Sequence, residues 1–312
     1  SMTWIKCRSG THGTENHNLF DAVRGATKYL IPNGTTASTT DTNSLTAFDS
    51  DGFSLGTRTD VNGSAEYASW NWLANGSGSA NTVGDIASTV SANTTSGFSV
   101  VSYTGNNASG ATVGHGLSSA PKMVIGKAIT SSGEDWFVGH SSIGFDKYLK
   151  LNTTDAANTT SVIFNNTAPS NSVVTLGNNG AVNSASYNYI MYCFEDVQGF
   201  SKMGSYTGNN SADGPFVYTG FKPAFLMVFA YQAGNENWML VDNKRDGFNV
   251  ENEQLFPNTS GAEESNDEVD LLSNGFKLRR NNSRMNGSNY PYIYMAFGQS
   301  IVGTNNIPAN AR

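Results

Sequence analysis

The hexapeptide Ser-Tyr-Thr-Gly-Asn-Asn occurs twice, at Ser102–Asn107 and at Ser205–Asn210. Each copy sits inside a longer match. Gly97-Phe98-Ser99 precedes the first and Gly199-Phe200-Ser201 the second. Downstream, Pro121 answers Pro223, each followed by an apolar run, and Trp136 answers Trp238. The segment "KYLKLNTTDAA" from Lys147 matches "EQLFPNTSGAE" from Glu253, and the two stretches close alike, on Phe194 and Phe297. Landmarks that recur in one order at nearly constant spacing imply a duplicated structural unit. The period is too long for a solenoid or a propeller blade and suits tandem small β-domains.

A third copy lies at the N-terminus. "KYLIPNGTTAS" from Lys28 matches both middle segments, "SDGFSLG" at Ser50–Gly56 matches "SNGFKLR" at Ser273–Arg279, and "VNGSAEYASWNW" closes on Trp72. The opening "TWIKCRSG" stands where "KMVIGKA" stands in the second unit, so the first unit lacks the piece equivalent to Gly97–Lys122. The expected organisation is a partial first repeat over 1–76, a linker over 77–96, a second repeat over 97–198, a third over 199–303 and a tail over 304–312. The linker reading rests on a stretch with no large side chain and no aromatic, expected to run extended between the first and second units.

The local signals are those of strands. "GFSVVSYTG" alternates, and "YIMYCF" and "YIYMAF" are aromatic-rich, as half-buried strands tend to be. Asn106-Asn107, Asn178-Asn179-Gly180, Asn274-Gly275 and Asn286-Gly287 read as hairpin turns, because Asn and Gly tolerate positive φ. "DAVRGATKYL" reads as strand, turn, strand. The fold class expected is all-β, with about three tandem β-sandwich units of jelly-roll or concanavalin-like type, the first incomplete at its N-terminal side.

Composition removes several functions. Only 14% of residues are charged, and the net charge is −7, which disfavours binding to a phosphate backbone. No apolar run approaches a membrane-spanning length. Cys7 and Cys193 are expected to be separate buried thiols. No metal-ligand spacing and no cofactor motif appears, and the four histidines form no ligand ladder. "EESNDEVD", Glu263–Asp270, lacks the spacing of a calcium loop and reads as a solvated hairpin tip.

Catalytic patterns are equally weak. "GFSLG", Gly52–Gly56, has the G-x-S-x-G form, but a turn is expected after it where a nucleophile elbow needs a helix; in the third unit Lys277 takes the place of Ser54. Asp242 is the best single carboxylate for sugar hydrolysis, yet Asp21 occupies the same repeat position, which argues for structure. No catalytic residue is assigned, and the protein is expected not to be an enzyme. For ligand binding the candidates are Trp136 and Trp238 as stacking platforms, and Asp242 and Arg245 in the charged loop "DNKRDG".

The motifs "GFSVVSYTGNNASGATVGHGLSSAPKMVI", "LFDAVRGATKYL", "SDGFSLG" and "DNKRDGFNVENEQLFPN" make the chain resemble a repeat-bearing family of tail-fibre and virion structural proteins of marine bacteriophages and prophages. The resemblance runs from about Trp4 to Arg312. It implies a location on the virion or outside the cell, other virion proteins as partners, a homotrimeric fibre, and adhesion to host-surface polysaccharide or lipopolysaccharide. It transfers no binding or catalytic residue. Because the first unit starts mid-domain, the chain is expected to be the C-terminal part of a longer polypeptide. A ligand-free structural role and a polysaccharide depolymerase are the alternatives.

Overall fold

In the computed structural model, which describes residues 1–247 and 249–298, the chain is all-β and its strands pair antiparallel. The tail at 304–312 and residues 299–303 of the third unit lie outside the described residues. The first unit holds β1 (Met2–Cys7), β2 (Asn18–Asp21), β3 (Lys28–Leu30), β4 (Thr39–Thr40), β5 (Leu45–Phe48), β6 (Phe53–Leu55) and β7 (Tyr67–Trp72). The next stretch holds β8 (Ser79–Asn81), β9 (Ser88–Asn93), β10 (Phe98–Thr104), β11 (Thr112–Gly114), β12 (Met123–Ala128), β13 (Phe137–His140), β14 (Gly144–Lys150), β15 (Asn158–Thr159), β16 (Val173–Thr175) and β17 (Asn188–Phe194). The third unit holds β18 (Ser201–Thr207), β19 (Phe216–Tyr218), β20 (Pro223–Ala230), β21 (Met239–Asp242), β22 (Glu251–Gln254), β23 (Glu264–Leu272), β24 (Gly275–Leu278) and β25 (Pro291–Gly298). The α-helices described are single turns: α1 (Thr59–Asn62), α2 (Ser161–Phe164), α3 (Gly180–Asn183) and α4 (Ser283–Asn286).

The main sheets run β4-β3-β2-β1-β7, then β15-β14-β13-β12-β17-β10-β9-β8, then β18-β25-β20-β21. One face of each covers its own smaller core. Val101, Tyr189 and Met191 face one such core, Val228 and Tyr292 another, and Ile5 and Phe20 a third. The opposite faces of all three sheets meet in a single shared core, to which Trp4, Trp70 and Trp72, Ile125, Tyr192 and Phe194, and Met227, Met295 and Phe297 contribute. Strands such as β1 and β12 are therefore buried throughout, as expected where a sheet is covered on both sides.

Repeat-matched residues take matched places. Trp72, Phe194 and Phe297 pair with Met2, Met123 and Phe225 at corresponding registers. Their rings form a triangle in the shared core, with centroid separations of 6.3, 5.7 and 6.0 Å and edge-on packing, a favoured aromatic geometry. The Tyr67, Tyr189 and Tyr292 hydroxyls each donate to the backbone of the adjacent single-turn helix, at Thr59 O, Gly180 O and Ser283 O. Each also accepts one backbone N–H, from Gly63, Ser184 and Gly287.

The two Ser-Tyr-Thr-Gly-Asn-Asn segments end β10 and β18, but no hairpin follows. The chain crosses to the other sheet, where β11 pairs with β16 and β19 with β24. Asn107 and Asn210 adopt φ of 60° and 54°, the left-handed region that Asn tolerates. The Asn106 and Asn209 amides donate to the side chains of Asn183 and Asn286, both buried. Asn286-Gly287 thus ends α4 and Asn179 caps α3; of the turn pairs read from sequence, Asn274-Gly275 lies in the β23–β24 hairpin.

The segment 77–96 is not a free linker. β8 and β9 extend the large sheet, with Val90 opposite Val101. Ile86 and Val90 are buried in the second unit's own core. Two aliphatic anchors and a ladder of backbone hydrogen bonds are enough to order a stretch that is otherwise Ser, Thr, Asn and Gly.

Candidate functional site

Of the four residues nominated from sequence, Trp136 and Trp238 are not platforms. They are 0% and 1% exposed. Their indole Nε1–H groups donate to Ile31 O and Lys150 O, each in a neighbouring unit. The equivalent residue of the first unit is His17, whose Nε2 bonds Phe256 O of the third. The three bonds close a ring: second unit to first, first to third, third to second. Each of the three residues is also held by its backbone N–H, donated to Asn152, Asn33 and Asn258 side chains respectively for Trp136, His17 and Trp238. A second ring lies beside it, where Ser38 N, Ala157 N and Glu263 N donate to Ile129 O, Tyr231 O and Arg8 O.

Asp242 and Arg245 do lie together, at the junction of the first and third units. Asp242 ends β21 and accepts through Oδ1 from the Lys244 and Arg245 backbone amides. Its Oδ2 accepts from Trp70 Nε1 at 2.9 Å and Arg245 Nε at 2.7 Å. Arg245 also donates to Glu263, which in turn accepts from Arg8. Burial by itself would raise the Asp242 carboxyl, but the Arg245 charge and the donated hydrogen bonds hold it below its ordinary value. Glu263 behaves alike: Arg8 and Arg245 outweigh its burial. A carboxylate this well supplied with donors is a poor proton carrier. Its counterpart Asp21 binds Arg24 the same way and accepts from Tyr192. The acidic run was expected to be a solvated hairpin tip; instead Glu263 is half-buried in this network, Glu268 is buried, and β23 runs from Glu264.

Beside this network a cleft of about 380 Å³ opens. Its walls are all six residues of β7, together with Phe225, Phe297 and Asp242–Arg245. The "GFSLG" segment lies elsewhere; β6 ends at Leu55 and α1 starts at Thr59. The described residues contain no group of His, Cys, Asp and Glu able to hold a metal ion, and no described helix is long and apolar enough to cross a membrane.

A second region was missed from sequence. Phe216 and Tyr218 are 46% and 60% exposed on the edge strand β19, flanking the buried Val217. Lys202 Nζ bonds Tyr218 O and stands 5.5 Å from the Tyr218 ring centroid, within cation–π range. Lys277, opposite Phe216 on the neighbouring strand β24, pairs with Asp213. The matching strand of the second unit, β11, carries Thr112 and Gly114, and there Ile86 bridges Val113 and Asp85 binds Thr112. The signal available in the sequence was the mismatch itself: two aromatics where the other copy has Thr and Gly.

A family model described as a domain of unknown function (DUF7483) matches residues 1–300. No curated protein and no solved structure matches the chain.

Proposed function

We propose, for a chain that belongs to the DUF7483 family, a non-catalytic adhesion module that engages surface glycans through the exposed face of β19. The observation that carries the reading is the pair Phe216 and Tyr218, solvent-exposed on one strand face where the sister unit has no aromatic. Residues two apart on a strand stand about 7 Å apart on the same side, so the two rings offer a continuous apolar strip. The apolar face of a sugar ring can lie on such a strip, and Lys202 and Lys277 supply hydrogen-bond donors at its margin. Asp242 and Glu263 support a binding role rather than hydrolysis, because their oxygens are already occupied by Trp70, Arg8 and Arg245.

The partner class is host polysaccharide or lipopolysaccharide, and placement on a virion or outside the cell follows from the resemblance to tail-fibre proteins. A homotrimer would multiply weak sites by avidity. The test is a glycan array probed with the wild-type protein and with Tyr218→Ala and Phe216→Ala. The expected result is binding by the wild type and loss in both variants, with melting unchanged. Retained binding in both variants refutes this face as the site. Attachment to purified particles without any glycan binding would favour a purely structural virion role. Release of reducing ends would favour a depolymerase.

A further inference from the structure

At the end of β24, in the sheet that carries Phe216 and Tyr218, lies a polar cleft of about 430 Å³. It is lined by Asn252, Ser265, Asn266, Arg279 and Arg280. We infer that this cleft is a subsite for an oxyanion, the carboxylate or phosphoryl group of an acidic saccharide, where the saccharide rests on the adhesion reading above and the anion on the cleft itself.

The outer face of the sheet joins the cleft to the aromatic strip. Phe276 and Leu278 turn into the third unit's own core, so positions 275, 277 and 279 fall on the other side, as strand alternation requires. Phe216 lies opposite Lys277, and Tyr218 opposite Gly275. A Cβ at Gly275 would come within 3.0 Å of the Phe216 ring, so the glycine leaves room for that ring against β24. The Arg279 N–H donates to Glu268 O, which carries the ladder one residue past the strand. Gly275 and Arg279 are then about 14 Å apart along the face, the span of an oligosaccharide.

The cations here are peculiar to the third unit. Arg279, Arg280 and Asn281 stand between Leu278 and the helix cap Asn282, where the second unit has only Gly177 and Asn178 between Leu176 and the cap Asn179. Thr175 holds the place of Lys277. Arg279 Nε reaches Asp270 at 3.4 Å, and Arg280 Nη1 bonds Asn266 Oδ1 and stands 3.5 Å from Glu268. The two arginine side chains are 41% and 42% exposed, whereas Asp270 and Glu268 are 18% and 1% exposed. The carboxylates therefore anchor the guanidinium groups from beneath, and what solvent meets is the positive side. A guanidinium offers five N–H donors in a planar fork, more than these contacts use. Such forks bind carboxylate and phosphate in a bidentate manner. The Asn252 and Asn266 amides add neutral groups suited to sugar hydroxyls.

The probes are galacturonate, inorganic phosphate and neutral galactose, each titrated into the full chain and followed by NMR at the backbone amides of residues 252, 265, 266 and 279–282. Saturable shifts with an anion and none with galactose are expected, and the tighter of the two anions tells a carboxylate ligand from a phosphoryl one. The double variant Arg279→Gln with Arg280→Gln should lose the shifts and keep its melting temperature, since both side chains are largely solvated. In parallel, polygalacturonate should bind the wild type at least about tenfold more tightly than its methyl ester, which keeps the sugar chain and loses the charge. That preference should shrink at about 0.5 M salt and vanish in the double variant, whereas Tyr218→Ala should weaken both polymers alike. Anion shifts without binding of either polymer would support the subsite and refute glycan adhesion. Absence of shifts with both anions, shifts that persist in the double variant, or equal measurable binding of polygalacturonate and its methyl ester overturns the inference.

Discussion

The junction between the second and first units and the junction between the first and third obey the same hydrogen-bond rules and end differently. In both, a side-chain N–H on the strand-start position reaches a carbonyl in the next unit: Trp136 to Ile31 in one, His17 to Phe256 in the other. In both, a donor on the closing strand reaches a buried Asp–Arg pair, Tyr192 to Asp21 in one and Trp70 to Asp242 in the other. The first is sealed, because β10 lies along β17 and puts Phe98 and Val100 into the shared core. The second is open along β7, where no described strand takes that role and a cleft remains. The ring of contacts is the same at both junctions, and the cleft is bounded by a strand edge and by side chains already bonded to one another.

The comparison breaks most severely if the shared aromatic triangle is emptied. Phe194→Ala or Phe297→Ala should each cost about 3–5 kcal/mol of unfolding free energy, from lost transfer and cavity formation. Denaturant unfolding checks this, and near-wild-type midpoints would show that the sheets do not share a core. Because the triangle belongs to all three units, one transition should be seen rather than separate melting of each.

Acid should weaken the ring next. Burial, reinforced by Lys6, depresses His17 to about 3, and burial depresses His140 to about 4. Both are held neutral in the folded state, whereas the unfolded chain takes up protons near the ordinary histidine value of about 6.5. Stability is thus fully present above that value and declines as pH falls below it, by about 2 kcal/mol per histidine at pH 5. Melting temperatures between pH 7 and pH 5 test the slope, and His17→Gln should flatten it. A flat profile in the wild type would contradict the buried, neutral assignment.

Trp136→Phe and Trp238→Phe probe the ring more finely. Each keeps an aromatic but removes one donor from a carbonyl of the next unit, a loss of about 0.5–1.5 kcal/mol. The two penalties should agree, since the bonds are equivalent at 3.0 and 2.9 Å; a large cost at one and none at the other would show that the junctions are not alike. The smallest effect belongs to β19. Tyr218→Ala and Phe216→Ala should alter stability by no more than about 0.5 kcal/mol, as expected of exposed positions, and a marked destabilisation would return these rings to a structural role.

Much of the fold was legible because strand periodicity and turn residues are local. Gly97–Thr104 alternates as a strand does, and the matched closing segments at Trp72, Phe194 and Phe297 end strands at corresponding registers. Local signals failed where long-range contact decides. Segment 77–96 looked like a connector because its two anchors, Ile86 and Val90, are sparse, and only the neighbouring strand β10 gives β9 its ladder. Trp136 and Trp238 looked available for ligand because sequence does not reveal that another unit covers a strand start. Asp242 and Arg245 were nominated for ligand binding from a charged loop, but the network that occupies them, through Trp70, Arg8 and Glu263, joins residues far apart in the sequence.

By itself the sequence determined that the chain makes strands and that one pattern of them recurs. These follow from side-chain alternation and backbone preferences, which act over a few residues. Only the tertiary structure decided that the units close on one another around a common aromatic core, that the nominated tryptophans serve that closure, and that the aromatic face of β19 is left uncovered. Burial and edge exposure depend on what packs against a strand, and that neighbour is supplied by residues a hundred or more positions away.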